Sequence, residues 1–300
     1  MIDDSAGWMW PTLRAAAALA RNGLDRDRAA GFRLGAEGRL QAVGRGPATL
    51  RWDPARAWMA ADVAAGERDF LDLYLPLCGA DAAHPVAVGQ LGQSLDGFIA
   101  TAAGDSYYVS GKPALLHLHR LRALCDAVII GAGTVATDNP LLTTRLVPGA
   151  NALRVVLDPA GQLPATRRAF DHSAPSLRVC AAQALPATGA VQLPAHVDTL
   201  TLPGARLDPT AVLAALRLRG HACVLVEGGG VTVSAFLAAG LLDRLHLLVA
   251  PLLIGSGRPG IRIPPREPLA DCLRPPTRRH LVGEDVLFDC ALRAVIAAPR

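Results

Sequence analysis

"CVLVEGGGVTVSAFLAAGLLDRLHLLVAPLLIG", residues 223–255, is the stretch of this sequence that decides the fold. It begins with an apolar run that ends in three glycines at 228–230 and continues as a helical pattern at 231–240. A second apolar run begins at residue 244. A strand, a glycine turn, a helix and another strand in this order are typical of a sheet covered by helices. The stretch therefore predicts an α/β fold.

The same alternation extends outward from this stretch. Short apolar runs of the kind found in buried strands occur at 85–91, 126–130 and 153–158. Helical patterns lie between the apolar runs, at 112–125 and at 207–220. Runs and helices that alternate in this way favour a central mixed, mostly parallel sheet flanked by helices.

Both helical patterns carry signals that fix their ends or their buried face. The first places four apolar residues at helical spacing, namely Leu115, Leu118, Leu121 and Cys125. The second begins with Asp208 as N-cap and Pro209 in the first turn, and it stops at Gly220. We therefore expect one amphipathic helix in each place.

A small N-terminal α+β segment is predicted at residues 1–82. It contains an alanine-rich helical pattern at 11–23, several short strand-like pieces and an amphipathic pattern at 66–79. The small residues and proline of "GADAAHP", 79–85, indicate a linker. We expect a second domain at residues 83–300, and the sequence suggests no chemistry for residues 1–82.

Composition limits the classes of function. With 51% hydrophobic residues among 300, the chain can form a substantial core. Its 30 basic and 26 acidic residues are interspersed and aromatic residues make up 4%, which argues against nucleic-acid binding. Six scattered cysteines without a CxxC pair indicate reduced thiols, and no apolar run approaches the roughly 18 residues of a membrane span. We expect a cytoplasmic protein that is not bound to a membrane.

The glycine turn at 227–230 is the first candidate site. Glycines between a strand and a helix allow close backbone approach, and the helix N-terminus offers N–H groups to a phosphate. The turn is not the GxGxxG fingerprint, so a plain strand-to-helix turn explains it about as well. Glu227 would repel a phosphate unless it points to another part of a composite pocket, or it is a helix-start carboxylate favoured by the dipole.

The loop at 131–145, "GAGTVATDNPLLTTR", is the second candidate. Thr134 and Asp138 there offer a hydroxyl and a carboxylate to a ribose or phosphate. Arg122 and Arg145 flank the loop and would clamp a phosphate, although either arginine alone is as readily a solvated surface residue.

Several other classes of site lack the required spacing. His117 and His119 are two residues apart, so a helix directs them to different faces and a shared metal is not expected. The sequence has neither the paired motifs of a zinc deaminase nor a Walker loop, and no GxSxG surrounds Ser234. We therefore expect no metal site.

Five motifs occur together in one order along the chain. They are "SLDGFIA" (94–100), "HRLRALCDAVIIGAGTVATDNPLLTTR" (119–145), "LRVVLD" (153–158), "VLVEGGG" (224–230) and "LLDRLHLLVAPLLIG" (241–255). In this order and spacing, over roughly residues 84–292, the chain resembles the pyrimidine reductases of riboflavin biosynthesis. It looks like the reductase half of the bacterial bifunctional deaminase-reductase, a family with the dihydrofolate reductase-like fold.

The resemblance implies a function. Family members pass a hydride from NADPH to the ribosyl group of a phosphoribosylaminopyrimidine and so form a ribityl group. Carried over by position, the cofactor contacts fall on Gln93, Tyr108, Thr134, Asp138, Gly229, Gly230, Val231 and Thr232. The substrate contacts fall on Ser106, Arg122, Leu142, Arg145 and Glu227, and Glu227 is the expected catalytic residue. The family also implies a homodimer that acts on a small phosphorylated molecule.

Two positions depart from the family pattern. Phe98 stands where the riboflavin enzymes commonly carry a lysine on the substrate side, and Pro159 stands where many carry a serine near the cofactor's adenosine. Arg167 and Arg168 would supply charge for a 2′-phosphate, or they are solvated loop residues. The alternatives are a reductase of a pterin or another heterocycle, and a nucleotide-binding module without catalysis.

Overall fold

The computed structural model describes residues 7–44, 46–106 and 111–293. Its N-terminal part has two helices around an antiparallel sheet with strand order β2-β1-β3-β4. These elements are α1 (Met9–Asn22), β1 (Ala30–Leu34), β2 (Leu40–Val43), β3 (Leu50–Asp53), β4 (Ala57–Ala60) and α2 (Ala65–Cys78). The predicted helices at 11–23 and 66–79 and the α+β character of this segment are confirmed.

The rest of the chain forms the larger α/β unit. Its helices are α3 (Lys112–Leu124), α4 (Ala132–Asp138), α5 (Pro209–Leu218) and α6 (Gly230–Ala238). Its strands are β5 (Val86–Ser94), β6 (Phe98–Thr101), β7 (Ala127–Gly131), β8 (Leu153–Leu157), β9 (Ser176–Ala181), β10 (Val197–Leu202), β11 (Cys223–Glu227), β12 (Arg244–Ala250), β13 (Gly257–Pro259), β14 (Thr277–Val282) and β15 (Asp285–Ala291).

A nine-stranded sheet with the order β10-β9-β8-β7-β11-β5-β12-β15-β14 forms the centre of the molecule. Neighbouring strands from β10 to β12 run parallel, and β15 and β14 add an antiparallel edge. Strands β6 and β13 pair separately as a two-stranded sheet. The predicted α/β fold with a mixed, mostly parallel sheet is confirmed.

Both faces of the inner strands β7, β9 and β11 are buried, as their continuous apolar runs predict. In β7, Ala127 and Ile129 face a core shared with α5 and α6, whereas Val128 and Ile130 face a core shared with α2 and α3. Successive side chains of a strand point to opposite faces, so β7 contributes alternate residues to the two cores.

The buried face of α3 is only partly the expected one. Leu121 and Cys125 are buried as predicted and Leu118 packs against the core, but Leu115 is 49% exposed. His117 and His119 are buried in addition. The apolar spacing could not reveal this burial because the groups that receive the two histidines lie far away in the sequence. Asp208 does cap α5, since its side chain accepts a hydrogen bond from the backbone N–H of Thr210, and that prediction is confirmed.

The N-terminal segment packs directly on the larger unit. One apolar core contains residues from both, for example Trp10, Phe70 and Leu121. Indole Nε1 of Trp10 donates a hydrogen bond to the carbonyl of Pro148 at 2.9 Å. A domain division at residue 83 stays a prediction, and any such division runs through a shared core.

A chain of buried polar side chains connects α2 with the large sheet. The hydroxyl of Tyr74 lies 2.8 Å from Nδ1 of His117, and Nε2 of His117 lies 3.2 Å from Nδ1 of His246. Nε2 of His246 lies 3.3 Å from the carboxylate of Asp289, which also pairs with Arg244. Burial, followed by the neighbouring His246, holds the pKa of His117 well below its ordinary value, so the imidazole is neutral. One tautomer of each histidine fits this chain.

We expect Tyr74→Phe to destabilise the protein by about 1–3 kcal/mol, because Nδ1 of His117 would remain buried without its hydrogen-bond partner. Urea unfolding of wild type and variant measures the difference. An unchanged free energy of unfolding would contradict the importance of this polar chain for docking of α2.

Candidate active site

The candidate site lies at the carboxyl ends of the central parallel strands. Strand β7 is followed in the sheet by β8 on one side, whereas the chain leaves β11 for β12 on the other side of β5. The connections therefore diverge between the neighbouring strands β7 and β11. In open α/β sheets, ligands bind in the crevice that such a divergence leaves outside the carboxyl ends of the strands.

Two glycine turns meet in this crevice. Oγ1 of Thr134 accepts a hydrogen bond from the backbone N–H of Gly229 at 3.1 Å. On the other turn, a Cβ at Gly131 would lie 2.5 Å from Oγ1 of Thr232. The sequence predicted a loop over 131–145, but its first part is the short helix α4, which ends at Asp138. The two candidate stretches of the sequence form one structure.

The three glycines at 228–230 differ in why a side chain would not fit there. Gly228 has a φ of +126°, a conformation that side chains rarely adopt. A Cβ at Gly230 would lie 2.0 Å from the carbonyl oxygen of Gly260, so the protein's own backbone occupies the space near this residue. Only Gly229 has Thr134 as its sole close neighbour. Val231, at the start of α6, is 87% exposed, so solvent reaches the first turn of this helix.

Glu227 and Arg122 form a buried ion pair beside the glycine turn. Nε of Arg122 donates to Oε2 of Glu227 at 2.9 Å, and Nη2 donates to Oε1. Nη1 donates to the carbonyl of Thr143 at 3.2 Å. The sequence suggested that Arg122 clamps a phosphate, whereas in the structure this guanidinium holds the catalytic candidate Glu227. Because the charge of Glu227 is paired with that of Arg122, the carboxylate repels a phosphate at the nearby glycine turn less strongly.

Arg145 is an exposed cation of the same region. Partial burial, and after it the charges of Arg122 and Arg168, lower the pKa of its guanidinium, while Glu227 opposes this effect. Within the described ranges the Arg145 side chain makes no hydrogen bond or ion pair. The guanidinium groups of Arg122, Arg145 and Arg168 outnumber the single carboxylate of Glu227 in this region, and the excess positive charge suits an anion such as a phosphate.

His119 fixes the backbone that carries Arg145. Its Nδ1 accepts the backbone N–H of Arg145 at 3.0 Å, and that of Leu146 lies at 3.4 Å. Burial, followed by the charges of Arg122 and Arg145, lowers the pKa of His119 to about 4. The imidazole is therefore neutral near pH 7 and can accept these hydrogen bonds.

This histidine predicts a loss of stability in acid. The pKa of His119 rises from about 4 in the folded protein toward 6.5 on unfolding, so the unfolded chain takes up the proton first. The stability that the neutral ring provides is complete above pH 6.5 and is lost as the pH falls toward 4. His119→Asn keeps an acceptor but does not titrate, so we expect its unfolding free energy to fall less over this range. Parallel pH profiles of variant and wild type would contradict this.

The remaining residues that the sequence predicted as ligand contacts differ in their surroundings and in their exposure. Gln93 lies beside Gly260, where a Cβ would be 2.5 Å from its Oε1. Burial raises the pKa of Asp138, and the charge of Arg258 opposes this. Leu142 is 1% exposed, so its side chain is part of the core and only its backbone is available to a ligand. Ser106 is partly exposed, and Tyr108 lies outside the described residues.

The two departures from the family pattern are also located. Phe98 is half-buried on β6 and pairs with Pro259 of β13. Pro159 follows β8 and its carbonyl accepts the backbone N–H of Ala181. Arg168 is exposed and its backbone N–H donates to Asn139 after α4. Of the two loop arginines, Arg168 is thus the one whose charge acts on Arg145.

Gln90 is a candidate that the sequence analysis missed. It pairs with Glu227 of β11 on one side and with His246 of β12 on the other, so the three side chains share a face of the sheet. Gln90 is 8% exposed, and its amide makes no hydrogen bond within the described part of the chain. An amide beside Glu227 whose donors and acceptor are unused is placed to bind a polar ligand. The signal was a glutamine inside an otherwise apolar strand.

Other features lie apart from the crevice. An open cavity of about 660 Å³ adjoins α1 and the N-terminal sheet, with Leu24, Phe32 and Trp52 in its wall, and it contains none of the candidate residues. In the ranges that the structure describes, no cluster of His, Cys, Asp or Glu is arranged to hold a metal ion. Nor is any helix in these ranges long and apolar enough to cross a membrane.

Comparison with known proteins shows the family of this chain. Residues 86–270 match the model of the RibD C-terminal domain. The 2,5-diamino-6-ribosylamino-4(3H)-pyrimidinone 5′-phosphate reductase of Methanothermobacter thermautotrophicus is 30% identical over 217 residues, which are 70% of this chain and 99% of the relative. The riboflavin biosynthesis protein RibD of Synechocystis is 36% identical over 174 residues, or 58% of this chain and 47% of RibD.

A solved structure shows the same likeness. The deaminase/5-amino-6-(5-phosphoribosylamino)uracil reductase of Thermotoga maritima superposes with a TM-score of 0.59 at 25% identity, over 75% of this chain and 60% of that one. The chain thus spans about half the length of the RibD protein, and nearly the whole length of the archaeal reductase. It belongs to the family of the RibD C-terminal domain, the pyrimidine reductases of riboflavin biosynthesis.

Proposed function

We propose that this protein is an NADPH-dependent reductase that converts the ribosyl group of a phosphoribosylaminopyrimidine to a ribityl group. The observation that carries the proposal is one crevice with two unlike halves. One half has the glycine turns joined by Thr134 and Gly229, and the other has the buried Arg122–Glu227 pair beside the exposed cation Arg145.

The first half fits a nicotinamide dinucleotide. The open start of α6 offers backbone N–H groups to a phosphate, and a side chain at Gly229 would crowd Thr134. Because Oγ1 of Thr134 already accepts from Gly229, its hydroxyl proton is free to donate to a ligand. Gln93, Asp138, Val231 and Thr232 complete this half. When bound, the cofactor would supply a hydride to C1′ of the ribosyl group.

The second half fits the phosphorylated pyrimidine. Arg145 would bind the phosphate, and the amide of Gln90 would donate to and accept from the edge of the ring. Arg122 holds the carboxylate of Glu227 in one orientation beside this space. When the bond between C1′ and the ring oxygen opens, positive charge builds on C1′ and the attached nitrogen. A fixed carboxylate at Glu227 would stabilise this charge until the hydride reaches C1′, while the ring oxygen takes up a proton from the solvent to become a hydroxyl.

Family membership supports the remaining parts of the proposal. Ser106 and the backbone of Leu142 would contact the substrate, and Tyr108 the cofactor. The protein would act in the cytoplasm as a homodimer on a small phosphorylated molecule, without nucleic acid or membrane as a partner. Residues 83–300 would be the reductase domain.

The experiment is a comparison of substrates with NADPH as reductant. The purified protein is given the deaminated uracil substrate, its 2-amino pyrimidinone counterpart and a dihydropterin precursor, and NADPH oxidation is followed by absorbance. We expect turnover with one or both pyrimidines. Turnover of the pterin alone would mean that Phe98 marks a pocket for another heterocycle, and NADPH binding without any turnover would favour the non-catalytic module.

A further inference from the structure

Arg258 is a cation at the mouth of the crevice that the resemblance gives no role. It lies on β13 opposite Ala100 of β6, and its side chain is exposed. Its guanidinium lies over the turn after β6, where a Cβ at Gly104 would be 2.8 Å from Nη2. Within the described ranges this guanidinium makes no hydrogen bond or ion pair.

Contacts with the glycine turn fix the position of β13. A Cβ at Gly230 would lie 2.7 Å from the carbonyl oxygen of Pro259, the residue after Arg258, and closer still to that of Gly260. The backbone N–H of Gly260 donates to the carbonyl of Gly97 at 2.8 Å. Arg258 is therefore carried by a backbone that packs directly against the start of α6, beside the half of the crevice assigned to the cofactor.

Asp138 lies near enough to Arg258 for the two charges to interact. Burial raises the pKa of Asp138, the positive charge of Arg258 opposes this, and the two side chains form no ion pair. The mouth of the crevice therefore carries a guanidinium and a carboxylate that interact but are not paired. A guanidinium binds phosphate oxygens and a carboxylate accepts from sugar hydroxyls, so the two groups together suit a ribose phosphate.

We propose that Arg258 binds a phosphate of the nicotinamide cofactor, with the adjoining ribose directed toward Asp138. This inference rests on the proposed function, because it names a further binding residue for the same cofactor. Arg258 would add a side-chain cation to the backbone N–H groups of α6.

The test is a titration of NADPH, without substrate, against wild type, Arg258→Ala and Arg258→Lys. We expect Arg258→Ala to raise the Kd by about 10- to 100-fold, the loss that follows from removal of hydrogen bonds to a charged group. Arg258→Lys keeps the charge but not the planar pair of donors, so its Kd should be intermediate. Arg56→Ala, an exposed arginine in the turn between β3 and β4, removes the same charge at a distance and should leave the Kd unchanged.

The outcomes separate this inference from the proposed function. An unchanged Kd in Arg258→Ala, with tight binding by wild type, overturns the role of Arg258 alone. A raised KM for the pyrimidine phosphate with an unchanged Kd for NADPH also overturns it, because Arg258 would then serve the substrate. Failure of the wild type to bind NADPH overturns the proposed function itself.

Discussion

Arg122→Ala is expected to lower the free energy of unfolding by about 3–5 kcal/mol, the cost of leaving a buried charge without its partner. The residue left unpaired is Glu227, which is 8% exposed and accepts from two nitrogens of Arg122. The variant should also lose turnover, since Glu227 would no longer be held in place. Urea unfolding and NADPH oxidation measure the two effects.

A double variant separates stability from chemistry. In Arg122→Met/Glu227→Gln both charges are removed and the volumes are nearly kept, so we expect most of the lost stability to return. Activity should not return, because the fixed carboxylate is gone. If the double variant regained turnover, Glu227 would have only a structural role. If Arg122→Ala were as stable as wild type, the buried pair itself would be in doubt.

Arg145→Ala is expected to weaken binding of the phosphorylated substrate by about 2–5 kcal/mol while leaving NADPH affinity unchanged. Stability should change little, because the side chain is exposed and its backbone N–H, which binds His119, is retained. The KM for the pyrimidine phosphate and the Kd for NADPH give the two values.

The substrate without its phosphate is the matched control for Arg145. Wild type should bind the phosphate form much more tightly than the unphosphorylated ribosylaminopyrimidine, and Arg145→Ala should bind the two forms about equally. An equal loss of NADPH and substrate affinity would contradict the division of the crevice into two halves. A preference for the phosphate that survives in the variant would move the phosphate site to other residues.

Local patterns predicted the elements of this fold well. The run 223–255 contains β11, α6 and β12, because β-branched residues, glycines and a helical repeat each favour one backbone geometry. The short helix α4 was missed. Four of its seven residues are glycine or β-branched, so its local helix propensity is low, and the packing of Val135 in the core supports the helix instead.

Long-range pairings could not be predicted from the sequence. Arg122 and Glu227 are 105 residues apart, and no local pattern in the sequence indicates that they form an ion pair with each other. The burial of His117 on α3 depends on Tyr74 and His246, which come from the N-terminal segment and from β12. Gln90 becomes a candidate site residue only because the strand register places it between Glu227 and His246. Such relations arise from the assembled sheet and not from any one window.

The most direct test of the central claim, that one crevice brings cofactor and pyrimidine together, is transfer of a labelled hydride. NADPH that carries deuterium at its hydride position is incubated with the protein and the phosphoribosylaminopyrimidine that turns over best, and the product is analysed by mass spectrometry. We expect one deuterium at C1′ of a ribityl product. Oxidation of NADPH without deuterium in the product, or no reaction from a protein that binds both molecules, would contradict the account.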